Sequence, residues 1–82
     1  MSFIKKNSNG CHSLHIRKTE IEQISPTQWT LIQLVMESWA VWKNDIIGTD
    51  STIGWEYSKE VTPELIKKAF SKVSDLECEI ID

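Results

Sequence analysis

The residues best suited to chemistry stand together near the start of the chain, at Cys11, His12 and His15. A thiol beside an imidazole is a pairing used in nucleophilic catalysis, and both side chains bind zinc. A zinc site needs about four ligands, however, and a catalytic pair needs a third group that orients the base. In a strand, Cys11 and His15 face one side and His12 the other. The spacing therefore favours solvated histidines, and we predict no catalytic residue, no cofactor and no metal site.

Two pairs of carboxylates, Glu20 with Glu22 and Glu77 with Glu79, have the spacing that places both members on one face of a strand. General acid–base catalysis would need each pair in a cleft that separates the two pKa values. If the two strands are neighbours, the four carboxylates form an acidic stripe on the solvent face. Such a stripe is either a solvated surface or a contact for a basic partner.

Three lysines, Lys67, Lys68 and Lys72, lie along one side of a predicted second helix. A basic helix face can bind phosphates. Here no arginine or aromatic residue is interleaved with the lysines, and acidic residues flank them. The pattern favours a solvated face.

The composition is that of a small globular protein. The chain has 82 residues, enough for one domain with a single core. Hydrophobic residues make up 40% and charged residues 26%, and the net charge is −3. This balance argues against disorder and against the basic footprint of a nucleic-acid-binding domain. Cys11 and Cys78 are far apart, no signal peptide is recognised and no apolar run reaches ~18 residues. We therefore expect a cytoplasmic protein with reduced thiols and no membrane insertion.

The dominant element is a helix predicted over residues 26–44. Ser25 is a good N-cap, and Pro26 at the first helical position loses no hydrogen bond. On a helical wheel the polar residues occupy one narrow side and apolar residues fill the rest. The apolar residues include three of the four tryptophans, and Trp39 lies near the centre of the buried side.

The segment before this helix predicts a hairpin followed by an extended stretch. Asn9-Gly10 is a strong hairpin signal because both residues tolerate positive φ. Residues 11–24 then alternate as a strand, but Leu14 and Ile21 are out of phase. We therefore expect a bulge or break near Lys18-Thr19.

The segment after this helix predicts a second helix between strands. Residues 53–57 alternate as a strand, and residues 46–48 are either its hairpin partner or part of a loop. Thr62-Pro63 begins a helix over residues 63–75, and residues 77–81 form a closing strand. The order β(β)–α–(β)β–α–β predicts an α+β fold, a two-layer sandwich with two helices on one face of a small, mostly antiparallel sheet. A ferredoxin-like connection is one way to join these elements, although an N-terminal hairpin breaks that pattern.

The first helix has more apolar surface than one small sheet can cover. The excess should be covered by another protein or by a second copy of the chain, because contiguous exposed apolar surface marks interaction sites. We predict a non-enzymatic regulator or inhibitor, of the kind represented by immunity proteins, antitoxins and phage-encoded antagonists. The alternative is a nucleic-acid-binding accessory protein that uses the basic N-terminal segment and the second-helix lysines; a small enzyme or metal protein is a third hypothesis. The predicted partner-binding residues are Trp29, Leu34, Val41, Trp42, Trp55 and Tyr57.

Overall fold

The computed structural model describes residues 1–38 and 43–81, and within them the chain is a small α+β domain. The strands are β1 (Ser2–Lys6), β2 (His12–Arg17), β3 (Lys43–Gly48), β4 (Thr52–Tyr57) and β5 (Cys78–Ile81). The helices are α1 (Lys18–Ile21), α2 (Pro26–Glu37) and α3 (Pro63–Val73). The predicted strands at 12–17, 53–57 and 77–81 are confirmed to within a residue.

The first hairpin joins β1 to β2 through the predicted Asn-Gly turn. The N–H of Gly10 donates to the carbonyl of Asn7 at 3.0 Å, and the N–H of Asn7 donates to the carbonyl of Cys11 at 2.8 Å. Gly10 has a φ of 86°, a conformation that side chains with a Cβ rarely adopt. The glycine therefore permits the turn that sets the register of β1 against β2.

The second hairpin joins β3 to β4, so the hairpin alternative for residues 46–48 is the correct one. Thr49 closes the turn with its side chain. Its Oγ1 accepts from the N–H of Ser51 at 3.2 Å and from the N–H of Thr52 at 3.1 Å. This pairing places β4 between β3 and β2.

The sheet is mixed and has the strand order β3-β4-β2-β1-β5. All neighbouring pairs are antiparallel except β1 and β5, which run parallel. The ferredoxin-like arrangement is not confirmed, since β1 and β2 form a hairpin with no helix between them.

Both predicted helix starts are confirmed. The Oγ of Ser25 accepts from the N–H of Gln28 at 3.1 Å, and the Oγ1 of Thr62 accepts from the N–H of Leu65 at 3.3 Å. In each helix a proline follows the cap at a position where an N–H would have no intrahelical partner. The caps therefore fix where α2 and α3 begin.

The predicted end of the first helix is wrong. It was expected at residue 44, but α2 ends at Glu37, and residues 43–48 belong to β3. Ser38 is the C-cap, and its hydroxyl donates to the carbonyl of Val35 at 2.7 Å. The apolar run beyond this point kept a helical period, but hydrogen bonding to β4 decides the structure of residues 43–48.

The predicted strand over residues 18–24 is also wrong, although the break near Lys18-Thr19 is correctly placed. The chain forms the single turn α1 there, and the N–H of Glu22 donates to the carbonyl of Lys18 at 3.0 Å. Glu20 instead pairs with the Met1 amino group at 2.7 Å. The acidic stripe predicted for the two carboxylate pairs is therefore not formed.

The core is one cluster that joins apolar residues of β1, β2 and β4 with residues of α2 and α3. Two hydrogen bonds fasten β4 to the end of α2: the Tyr57 hydroxyl donates to the carbonyl of Met36 at 2.8 Å, and the Trp55 Nε1–H donates to Glu37 Oε1 at 3.2 Å. The buried apolar residues of the cluster are Ile4, Leu14, Ile16, Ile32, Met36, Trp55, Tyr57, Val61, Ile66, Ala69 and Phe70. Because side chains alternate along a strand, their neighbours in the sequence point to the other face of the sheet.

Candidate partner-binding groove

A groove of about 390 Å³ lies between α2 and α3, with five lining residues from α3 and one from α2. Four apolar side chains form most of its wall, and two lysines lie at its rim. The lining residues are Val35, Leu65, Lys68, Ala69, Lys72 and Val73. We refer to this feature as the α2–α3 groove.

Apolar side chains outside the groove extend its surface along α2. Leu31 and Leu34 are 47% and 64% exposed, although Ile32 and Met36 on the same helix are fully buried. Residues three and four apart share a helix face, so Leu31, Leu34 and Val35 form neighbouring rows on the solvent side. The sheet cannot cover this side because it already packs against the opposite one.

The α3 side of the groove follows from the same periodicity. Ile66, Ala69 and Phe70 pack into the core, whereas Leu65 remains 42% exposed at the edge of that stripe. Lys68 and Lys72 stand one turn apart on the same edge and are exposed. Neither lysine forms an ion pair with a described residue.

The predicted partner-binding residues do not all reach this surface. Leu34 lies on this surface. Its side chain is 64% exposed, more than any other large apolar side chain in residues 1–38 and 43–81. Trp29 is half-buried, and its ring lies 6.3 Å from that of Trp55 at an interplanar angle of 35°. Val41 and Trp42, like the predicted core residue Trp39, lie outside the described residues.

Trp55 and Tyr57 require a correction. Both were predicted to lie beside the first helix at the contact surface, but they are 1% and 0% exposed. β4 is an interior strand of the sheet, so its inward side chains are covered by the helices. These two aromatic residues therefore stabilise the core and are not available to a partner.

Sequence reasoning missed the contribution of α3 to the groove. The helical period of α3 places Leu65 beside the inward residues Ile66, Ala69 and Phe70, but the structure leaves Leu65 42% exposed. The sequence signal that could have identified the exposed leucines is the angle of each residue on the helical wheel relative to the fully buried residues. Leu31 and Leu34 lie away from the direction of Ile32 and Met36 on the helical wheel.

The structure does not bring Cys11, His12 and His15 into one site. Cys11 is buried at the hairpin, where its N–H donates to Asn9 Oδ1 at 3.0 Å. His12 and His15 point to opposite faces of β2. Among residues 1–38 and 43–81, no three His, Cys, Asp or Glu side chains are grouped so that they can hold a metal ion.

His15 instead belongs to a chain of polar side chains on the sheet face away from α2 and α3. Its Nε2 lies 2.9 Å from Ser13 Oγ, and its Nδ1 lies 3.4 Å from Thr52 Oγ1. The Ser13 hydroxyl donates to Asn7 Oδ1 at 3.3 Å. A neutral imidazole that donates through Nε2 and accepts at Nδ1 satisfies all of these groups. We call this set the polar chain.

Both ends of the polar chain are anchored in turns. Asn7 donates to Glu56 Oε2 at 2.6 Å, and Thr52 Oγ1 lies 3.0 Å from Thr49 Oγ1. Ser13 is fully buried, so its hydroxyl cannot reach a substrate. The polar chain therefore contains a hydrogen-bonded serine and histidine, as a Ser–His catalytic pair does, but its hydrogen bonds link β2 to β4 and to the two turns.

Aromatic packing covers the imidazole. The ring of Phe3 stacks on that of His15 with centroids 4.8 Å apart and an interplanar angle of 11°. The Arg17 guanidinium lies over the Phe3 ring at 5.2 Å. Burial, and secondarily the nearby charge of Lys5, lowers the pKa of His15 below its ordinary value. The neutral form required by the hydrogen bonds is thus also the favoured form.

No protein-family model, curated protein or solved structure matches the chain. None of the helices in the described ranges combines the length and the apolar character needed to cross a membrane. The α2–α3 groove is the candidate site on the basis of its lining residues and of the exposed apolar side chains near it.

Proposed function

We propose that the protein is a non-enzymatic binding protein that contacts another protein through the α2–α3 groove. The single observation that carries the proposal is an exposed apolar surface: Leu65 lines the groove, and the exposed Leu31 and Leu34 lie on α2 near the lining residue Val35. A folded chain gains free energy by removing such side chains from water, and contiguous exposed apolar patches are typical of interaction sites.

The exposed leucines can supply part of the free energy of a useful affinity. Complete burial of a leucine side chain is worth about 1.5–3 kcal/mol. Leu34 is still 64% exposed, so much of that free energy remains available to a partner. Together with the half-exposed Leu31 and Leu65, it supplies a few kcal/mol toward the ~8 kcal/mol of a micromolar complex. Neighbouring contacts must supply the rest and offset the entropic cost of association.

A regulator or inhibitor of another protein is the class that we favour, acting in the cytoplasm. The small size of the chain, its mild negative charge and the use of Ser13 and His15 for structural hydrogen bonds support it. In the two-layer arrangement that we also propose, α2 and α3 form one layer and the sheet forms the other. The groove then lies on the outside of the helical layer, where a partner can approach it.

The nucleic-acid alternative receives less support from the arrangement of charges. Lys5 and Arg17 lie on the sheet face that carries the polar chain, whereas Lys67, Lys68 and Lys72 lie on α3 beyond the other face. The sheet therefore separates Lys5 and Arg17 from the lysines of α3. Glu56 and Glu79 also stand on the same sheet face as Lys5.

The proposal is tested with Leu34→Glu and a matched control, Ser71→Glu. Both positions are exposed helix residues outside the groove lining, but Leu34 is an apolar residue next to the lining residue Val35, whereas Ser71 is a polar residue of α3. Tagged versions of the parent and both variants are used to recover partners from cells of the source organism, and circular dichroism verifies folding. We expect Leu34→Glu to remain folded and to lose the partner that the parent and Ser71→Glu retain. Equal recovery by all three proteins would contradict the proposal.

Light scattering of the same three proteins separates a protein partner from self-association. If the parent forms dimers that Leu34→Glu converts to monomers, the groove is an interface between copies of the chain. If all three proteins are monomers, the partner must be a different protein.

A further inference from the structure

We propose that the α2–α3 groove takes an acidic amphipathic helix, whose apolar side chains enter the groove and whose carboxylates pair with Lys68 and Lys72. This inference rests on the proposed function and specifies the partner's chemistry. It is carried by the charges at the groove and by the shape of the surface around it.

The charges at the groove have one sign. Lys68 and Lys72 are the two charged residues that line it. No ion pair joins either lysine to a described residue. Glu37, at the end of α2, is engaged by the Trp55 indole. The residues that line the groove are therefore apolar or basic, although the chain has a net charge of −3. Acidic groups of a partner would complement this rim and would be steered toward it.

The shape of the surface favours a helix. The floor is bounded by two helices of 12 and 11 residues, each about 16–18 Å long at the usual rise per residue. The space between two packed helices accepts a third helix, whose side chains at three- and four-residue spacing enter the groove. A partner helix of about three turns would match the length of both walls.

The extent of the apolar surface argues against a small amphiphile as the occupant. A fatty acid would also combine an apolar tail with a negative charge, and it would fit into the groove. It would leave Leu31 and Leu34 uncovered, because neither residue lines the groove. A helix with its side chains is about 10–12 Å wide, so a partner helix seated against Val35 also reaches Leu31, one turn earlier on α2.

The experiment uses two synthetic helical peptides and the whole protein. Each peptide has the length of α2, 12 residues, with leucines spaced three and four apart. One carries glutamates beside the leucine stripe, and the other carries lysines at the same positions. Fluorescence anisotropy of labelled peptides gives each Kd. We expect the glutamate peptide to bind about tenfold more tightly, with a difference that shrinks at high salt.

Variants of α3 locate the source of the preference. Lys68→Glu and Lys72→Glu should each reduce the preference for the glutamate peptide several-fold. Lys67→Glu makes the same charge change on the same helix, but Lys67 does not line the groove, so this variant should keep the preference. Leu34→Glu should weaken both peptides. A loss of preference in Lys67→Glu as large as that in Lys68→Glu would overturn the inference.

Failure of the inference can be distinguished from failure of the proposed function. If both peptides bind equally and Leu34→Glu weakens both, the groove binds helices without charge selection, so the inference is wrong and the proposed function stands. If neither peptide binds and the parent forms dimers that Leu34→Glu disrupts, the occupant is a second copy and the inference is wrong. Saturable binding of laurate without binding of either peptide would likewise overturn it. Absence of all binding, together with unchanged partner recovery by Leu34→Glu, would remove both proposals.

Discussion

The α2–α3 groove exposes leucines to solvent, whereas the sheet face with the polar chain buries hydroxyl groups and an imidazole. Leu34 is 64% exposed on one side of the molecule, and Ser13 and His15 are buried on the other. Ser13, His15 and Thr52 are satisfied by one another, so their burial costs little free energy. The exposed leucines keep 42–64% of their surface in water, so the domain itself buries only part of each side chain. The comparison shows that residue type alone does not fix burial, because here polar side chains are buried in hydrogen bonds and several leucines remain exposed.

The most damaging single change should lie beneath the polar chain, at Gly54. A Cβ at this position would lie 1.8 Å from the carbonyl oxygen of Leu14, which is backbone and cannot yield without separating β4 from β2. We expect Gly54→Ala to destabilise the protein by more than about 3 kcal/mol or to prevent folding. In Gly48→Ala the nearest atom would be 3.3 Å away, so this control should be much milder. Thermal unfolding of both variants tests the difference, and equal melting temperatures would contradict it.

The next largest effect should come from the buried side of α2. Ile32→Ala empties a fully buried site and should cost about 2–5 kcal/mol. Leu34→Ala, two residues along the same helix, should change the free energy of unfolding by about 0.5 kcal/mol or less, because Leu34 is exposed. Denaturant unfolding of the pair measures directly which apolar residues the domain itself needs. A large loss of stability in Leu34→Ala would show that this residue is part of the core.

A smaller effect is expected from interrupting the polar chain. Ser13→Ala removes the partner of His15 Nε2 and of Asn7 Oδ1 in a buried setting. Leaving such groups unsatisfied should cost about 1–3 kcal/mol. Ser71→Ala also removes a serine hydroxyl with one hydrogen bond, but at an exposed site, and should cost about 0.5 kcal/mol or less. Equal losses of unfolding free energy in the two variants would mean that the buried hydrogen bonds of Ser13 contribute no more to stability than the exposed one of Ser71.

The smallest effect should be a dependence of stability on pH through His15. The pKa of His15 is lowered in the folded protein, so the unfolded chain binds a proton more readily. Stability should therefore fall as the pH drops below the unfolded value of about 6.5 and should be unaffected above it. His15→Gln can still donate and accept hydrogen bonds but does not titrate. We compare the unfolding free energies of the parent and the variant at about pH 7.5 and about pH 5.5. The difference between the two proteins should shrink at the lower pH. A difference that stays constant would contradict the assignment of the pH dependence to His15.

Local signals in the sequence predicted those parts of the fold that depend on neighbouring residues. Ser25-Pro26, Thr62-Pro63 and the Asn9-Gly10 turn act within a few residues, and all three gave correct starts or turns. The end of α2 was missed because it is decided by pairing of residues 43–48 with β4, not by the local apolar period. The turn of α1 was missed for a similar reason: Glu20 contacts Met1 and Ser2, which lie far back in the chain.

The candidate site was predicted only in part. Leu34 follows from the helical wheel because an amphipathic helix can bury one side only. Leu65 and the lysine rim depend on how α3 packs beside α2, which no local pattern specifies. The hydrogen bonds of the polar chain could not be predicted from local sequence patterns. His15 and Thr52 are 37 residues apart in the sequence, and Asn7 and Glu56 are 49 residues apart.

The parallel pairing of β1 with β5 has a consequence for how the chain folds. The two hairpins join strands that are close in sequence, so they can form early and quickly. β5 must instead find β1 across nearly the whole chain, with Ile80 opposite Ile4. During synthesis the free edge of β1 therefore stays unpaired until the last strand is made, and throughout that interval it can pair with other chains.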